Sequence, residues 1–235
     1  MSKNASSSPN PSRRASSGNG QGRRAKTSSY LSDQAYKTVT EMILNRKLVG
    51  GELLVEGRLA NSLNLTRTPL REALVRLEGE GLLVKQANRS FFVHIVGASE
   101  FFQSMKVRRY MEAEAAALAV GKVKREAIET LRARVVKVLE DGVQGPGQWA
   151  VDEALHALIA EASGNAVLAK MIRKLRITTL LFEVSRPFGR AGADAEEHLA
   201  ILQAMEDGDV HAARRAMVDH LKNIEQDVLE IVSGG

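Results

Sequence analysis

Residues 65–74 read LTRTPLREAL. Proline normally breaks a helix, yet Leu70, Leu74 and Leu77 keep helical spacing around Pro69. The conflict resolves if a helix starts here. With Thr66 or Thr68 as the N-cap, Pro69 falls in the first turn, where its missing N–H has no intrahelical partner to lose. The leucines then form the core side. Arg67 and Arg71 are four residues apart and share a different, solvent-facing side. EGEGLL at 78–83 ends the helix at Gly79 or Gly81.

Working outward, a short helix over 56–62 precedes this one and is closed by NSLN at 61–64. Before it, Leu31, Ala35, Val39 and Ile43 recur at helical spacing, with Ser32 as N-cap and VGGE at 49–52 as the stop. After it, LLVKQANRSFFVHIV at 82–96 holds two β-rich runs around a polar centre, the signature of a hairpin. Helix, turn, second helix and hairpin in this order predict a winged helix-turn-helix domain over 30–97. A helix that presents its N-terminus with threonines and paired arginines suits the major groove of double-stranded DNA. The terminal N–H groups, Thr66 and Thr68 hold a phosphate. Arg67 grips phosphate, and Arg71, one turn in, reaches guanine O6 and N7.

Charge separates this domain from what precedes it. The 235 residues carry a net +5. Residues 1–29 hold Lys3, Arg13, Arg14, Arg23, Arg24 and Lys26 and no acid, so the remaining 206 residues sum to −1. This stretch is rich in Ser, Asn, Gly and Arg and poor in large apolar groups, so it is expected to be a disordered basic tail. It lacks the apolar run of a signal peptide, and no run of about 18 apolar residues follows. There are no cysteines, which excludes disulfides and thiolate metal sites. A soluble cytoplasmic protein is the expectation, with no membrane partner.

Residues 98–235 read as an all-α bundle, with helices over about 99–123, 124–141, 148–162, 166–185, 194–206 and 209–232. Their apolar faces carry polar groups. Asp152 and His156 are i,i+4 on a face continued by Ile159. His198 aligns with Ile201, Leu202 and Met205, and His220 with Met217, Leu221 and Ile224. Arg108 follows Phe101 and Met105 on another inward face. A buried carboxylate needs a partner or a metal. Asp152, His156, His198 and His220 form an N/O donor set for a divalent ion, zinc first, with nickel or manganese as alternatives. A buried polar network without metal is the competing reading. His94 and His211 fall outside the set.

Both halves resemble a known family. EGRLANSLNLTRTPLREALVRLEGEGLL at 56–83 is similar to the GntR family of bacterial transcription regulators, and 98–232 resembles the helical FCD domain of its FadR subfamily. The resemblance implies DNA reading by Thr66, Arg67, Thr68 and Arg71. Where the family often has an arginine after the acid of the second helix, this chain has Gly57 with Arg58 adjacent. Where the wing tip commonly has glycine, it has Arg89 and Ser90. Arg58 and Arg89 are therefore carried as further DNA contacts. The D-x-x-x-H, E-H and H-L motifs of the metal-binding members fall on Asp152 and His156, on His198 after Glu197, and on His220 before Leu221. SGN at 163–165 and KVRRYMEAEAA at 106–116 also match. They imply that Arg108 faces the metal cavity and pairs with a small carboxylate effector, with Asn165 as a second contact. On that reading Arg108 can be removed without loss of fold or metal. A homodimer would place two recognition helices on half-sites about one helical turn apart, and effector binding would shift their spacing.

Two other classes compete. One is a helical metal-dependent hydrolase on the Asp/His3 set, but Glu153 and Glu197, each next to a ligand, are expected to point elsewhere and leave it no general base. The other is an architectural DNA-binding protein, which leaves the inward polar set unexplained. If the tail contacts DNA, deleting residues 1–29 will flatten the salt dependence of DNA binding and leave any effector response intact. Titrations of operator DNA across a salt series check this, and an unchanged slope makes the tail a bystander.

Overall fold

The structure, a computed structural model, describes residues 19–86, 90–142, 145–186 and 189–234, with residues 19–28 described as backbone only. The first helix, α1 (Asn19–Leu44), begins well before the expected start near Tyr30. No proline lies between Pro11 and Pro69, and Gln21, Arg23, Arg24, Ala25 and Lys26 all favour helix. The disordered tail expected over 1–29 is thus helical from Asn19. Its first 18 residues lie outside the described set. Ser32 is an interior helical residue, not a cap. The face read from the spacing holds: Ala35, Val39 and Ile43 are buried.

The remaining elements of this domain are β1 (Leu53–Leu54), α2 (Glu56–Ser62), α3 (Arg67–Glu80), β2 (Leu83–Lys85) and β3 (Phe91–Val93). Asn64, with φ 54°, turns the chain between α2 and α3, a left-handed position that asparagine tolerates. Gly81, with φ 100°, caps α3 and returns its N–H to Leu77 and Glu78 carbonyls. α3 buries Pro69, Leu70, Ala73, Leu74 and Leu77. It packs on α1, where Tyr36 Oη donates to Glu80 at 2.5 Å and the Arg76 guanidinium lies 3.8 Å from the Tyr36 ring centroid. The expected hairpin is β2–β3, paired antiparallel as Leu83↔Val93, Val84↔Phe92 and Lys85↔Phe91. β1 pairs antiparallel with β3, giving a sheet of order β1-β3-β2. A two-residue strand leaves no periodicity in the sequence, so β1 was not expected. The wing tip at 87–89, with Arg89, lies outside the described residues.

The second domain is the expected helical bundle: α4 (Ala98–Ala119), α5 (Arg125–Asp141), α6 (Pro146–Ala162), α7 (Ala166–Ser185), α8 (Ala191–Glu206) and α9 (Val210–Ser233). α4 is its axis and packs on α6, α7 and α9, while α8 bridges α5 and α9. Ala113, Ala115, Ala116 and Ala119 keep the buried face of α4 small enough for three neighbours. Three polar groups share that face: Ser104, Arg108 and Glu112. No helix among the described residues is long and apolar enough to cross a membrane.

Candidate nucleic-acid interface and metal centre

Thr66 is the N-cap of α3, with φ −77° and ψ 161°, and its side chain makes no capping hydrogen bond. A capping hydroxyl accepts from the second or third helical N–H; the third residue here is Pro69, which has none, so only the Thr68 N–H is left to it. Thr66, Arg67, Thr68 and Arg71 are all exposed around this end of α3. Arg71 Nη1 lies 4.0 Å from Glu56, a contact too long and too exposed to hold it. Arg67 lies over α2: a Cβ on Gly57 would stand 3.4 Å from its Nη2. Arg58 is exposed on α2.

In the bundle, α6, α8 and α9 bring Asp152, His156, His198 and His220 together, with one donor atom of each within 4.8 Å of the others. All three imidazoles are buried, and their ring centroids are 4.7–5.7 Å apart. The Nε2 atoms of all three have no hydrogen-bond partner. Those of His156 and His198 lie 3.4 Å from Asp152 Oδ1 without the alignment of a hydrogen bond. Unpaired buried nitrogens are costly, and three converging on one carboxylate make a donor set for a cation.

The backs of two of the three rings, His156 and His220, are tied down. His156 Nδ1 meets Glu112 Oε2 in a short hydrogen bond, and Glu112 accepts from Arg108 Nε at 2.6 Å. His220 Nδ1 donates to Glu197 Oε2 at 2.7 Å, and Glu197 also accepts from Asn223 at 2.7 Å and from Arg190. Carboxylates behind imidazoles fix the tautomer and direct Nε2 forward, as a ligand requires. Asp194, Glu197 and His220 also lie close together, but there Glu197 already occupies His220 Nδ1. Glu197 was expected to point away. It does leave the donor cluster, but α8 and α9 pack so that it lands behind His220. Glu153 pairs with Arg176 at 3.0 Å.

Burial and charge set the protonation states. Burial pushes the Asp152 carboxyl up, but the Arg176 guanidinium, 2.6 Å away, outweighs it and holds Asp152 well below the usual range. Burial likewise pushes Glu112 up and Arg108 overrides it, leaving the carboxyl depressed. Burial raises Glu197 too, yet hydrogen bonds from His220, Arg190 and Asn223 bring it down to about 2. Burial lowers His198, and lowers His220 to about 3 against the opposing Glu197 bond. His198 and His220 are therefore favoured as neutral imidazoles and Asp152, Glu112 and Glu197 as carboxylates, the states that bind metal.

A cavity of about 50 Å³ opens beside Asp152 and is walled by Arg108, Trp149, Arg176 and Thr179 among others. Arg108 faces it, as expected, but is not idle. Its Nε holds Glu112, and its Nη1 donates to Thr179 Oγ1 at 2.8 Å, so only Nη2 lies outside these bonds. Asn165 is not in the cavity. It is exposed at the N-cap of α7, where its Oδ1 accepts from Leu168 N–H at 3.1 Å. SGN thus serves the α6–α7 turn. Glu112, Arg176, Glu197 and Arg190 were missed. The i,i+4 spacing of Arg108 and Glu112 was legible, but Arg176 sits in the basic run RKLR, which looks solvated until α6 is placed beside it.

Residues 31–93 match the bacterial regulatory proteins of the gntR family, and residues 103–223 match the FCD domain. The chain is similar to the Nta operon transcriptional regulator of Aminobacter aminovorans, 30% identical over 189 residues, covering 78% of this chain and 88% of the relative. It is also similar to the Uxu operon transcriptional regulator of Escherichia coli K12, 26% identical, covering 82% and 84%. In fold it resembles the solved structure of E. coli McbR/YncC, with a TM-score of 0.72 at 22% identity, over 86% of this chain and 98% of that one. A winged helix-turn-helix joined to a helical bundle defines the class: a DNA-binding transcription regulator, not an enzyme. The chain belongs to the GntR family and carries an FCD domain. The hydrolase alternative has no support from the family.

Two outcomes follow from the geometry. Arg108→Ala will not be silent, contrary to the expectation from sequence: it takes the guanidinium from the buried Glu112 carboxylate, leaving its hydrogen bond to His156, and will destabilise the bundle by about 3–5 kcal/mol in urea unfolding. The second concerns pH. His198 and His220 have folded values below that of a free imidazole, so the unfolded chain binds more protons between the two values and stability falls with pH there. Metal-stripped protein will therefore lose stability as pH drops below about 6.5, the free imidazole value, with the loss growing toward pH of about 3, where His220 titrates. Denaturation midpoints across that range check it, and a flat profile contradicts neutral buried imidazoles.

Proposed function

We propose that this regulator is a metal-containing, ligand-gated repressor that binds operator DNA as a cytoplasmic homodimer. One observation carries the reading: three buried imidazole Nε2 atoms, each without a hydrogen bond, converge on Asp152. Asp152, His156, His198 and His220 would hold one divalent ion, zinc first, with nickel or manganese as alternatives. When bound, the ion supplies a cross-link between helices and an open position for an anionic ligand. Arg176 keeps Asp152 ionised, and Glu112 and Glu197 hold the rings in the ligating tautomer. A small carboxylate effector would enter the adjoining cavity, where Arg108 Nη2 offers it a charged donor. At about 50 Å³ this cavity holds little more than water, so an acid enters only if α6 and α7 part. The effector then prefers the parted arrangement, and that differential affinity is what a gate needs.

At the other end, Thr66, Arg67 and Thr68 would grip phosphate and Arg71 would read a base, with Arg58 and the wing residue Arg89 adding contacts. Repression follows when two recognition helices cover an operator that polymerase must use.

Metal analysis tests the first half. Zinc-reconstituted parent should hold one ion per chain, and His220→Ala should lose both the ion and thermal stability, because metal binding energy adds to folding energy. A parent that retains no ion after reconstitution makes the histidines a core polar network. For the second half, Arg71→Ala should weaken operator binding by about 1–3 kcal/mol and relax preference at one base pair. Equal binding of operator and random DNA by parent and variant would place α3 outside the groove.

A further inference from the structure

At the junction of the two domains lies another cavity, of about 370 Å³, which shares no lining residue with the one beside Asp152. Its inner wall is apolar and buried, with Ile43, Leu48, Val93 and Val96 from the DNA-reading domain and Leu181 and Val184 from α7, while the exposed Val49 and Ile95 and the half-buried His94 form its rim. Two arginines, Arg46 and Arg186, also line it. Both are exposed, and neither closes an ion pair among the described residues. Arg186 rests near the Phe182 ring, 5.4 Å from its centroid.

Arg46 is held in an unfavourable conformation. With φ 56° it adopts the left-handed geometry that ends α1, a position usually given to glycine. Glycine would relieve the strain. Such an outlier points to a use for the side chain, and Arg46 is among the residues that line the cavity.

We propose that this interdomain cavity binds an apolar acid, a single carboxylate on an aromatic or aliphatic body, with the carboxylate held by Arg46 and Arg186. The volume falls in the range of small-molecule sites, which favour domain junctions and combine apolar walls with a few polar groups. Guanidinium–carboxylate pairing supplies orientation. Arg186 also offsets the negative C-terminal end of α7, which would otherwise repel an anion. Because the walls belong to both domains, such a ligand binds best at one angle between them and stabilises that angle. α7 joins the two cavities: Arg176 pairs with Asp152 and Thr179 with Arg108, while Leu181 and Val184 line the junction. Occupancy of either cavity should therefore change affinity at the other by the same factor.

Naphthoate, a fluorescent aromatic carboxylate, is the probe, titrated into full-length protein before and after removal of metal with EDTA. Saturable binding at one site per chain is expected in both forms. Arg46→Ala and Arg186→Ala should each weaken it about tenfold, the loss of one charged hydrogen bond. Ser185→Trp, at an exposed lining position, should block it. The neutral naphthylmethanol should bind more weakly than the acid. Thermal transitions close to that of the parent confirm that the arginine variants are folded. Three results would overturn the proposal: no saturable binding to the parent, unchanged affinity in both arginine variants, or binding that EDTA abolishes while Ser185→Trp leaves it intact, since the acid then sits beside Asp152.

Discussion

The bundle is organised around four donor groups that cannot all be satisfied by one another. Asp152 can meet only part of what three imidazole nitrogens demand, and those nitrogens have no other neighbour. Burying them would be unfavourable unless something joins them from the middle. Around this centre the fold supplies what it can. Glu112 and Glu197 take the rear nitrogens, Arg108 and Arg190 neutralise those carboxylates, and Arg176 neutralises Asp152. Every helix of the bundle except α5 carries a residue of this network or leads directly into one.

Charge pairing at this depth has a mechanical consequence. Arg108 and Glu112 lie on the axial helix, and removing either takes the opposite charge from a buried partner. A ligand entering as proposed would therefore not displace Arg108 from Glu112 at small cost. The softer contact is that of α6 with α7, which meet at the cavity through the partly exposed Asp152 and Glu153 carboxylates on Arg176. α7 runs on to the domain junction and lines both cavities.

Motifs and their spacing made most of the architecture legible. Pro69 within a leucine repeat marked the start of α3, and the helices at 56–62 and 166–185 match α2 and α7 residue for residue. The four donors were legible because a polar residue on an otherwise apolar helical face stands out in a repeat of 3.6 residues. Asn165 misled because SGN reads equally as a cavity lining and as a turn with a helix cap, and its own Oδ1–Leu168 bond decides for the cap. The helical start at Asn19 was missed because composition describes whether a segment can bury a core, while local helix preference along 21–26 acts without one.

The sequence by itself determined the class of the protein: a winged helix-turn-helix with its arginines beside a proline-started helix, and a helical bundle with histidines on its inner faces. Local periodicity records which face of a helix is buried, and that is enough to name the donors. Only the tertiary structure decided what stands behind them. Glu197 reaches His220 across 23 residues and Glu112 reaches His156 across 44, and helical spacing holds no record of which neighbour a face will meet. The junction cavity is of the same kind, because it exists only where α7 comes to rest beside β3 and the end of α1.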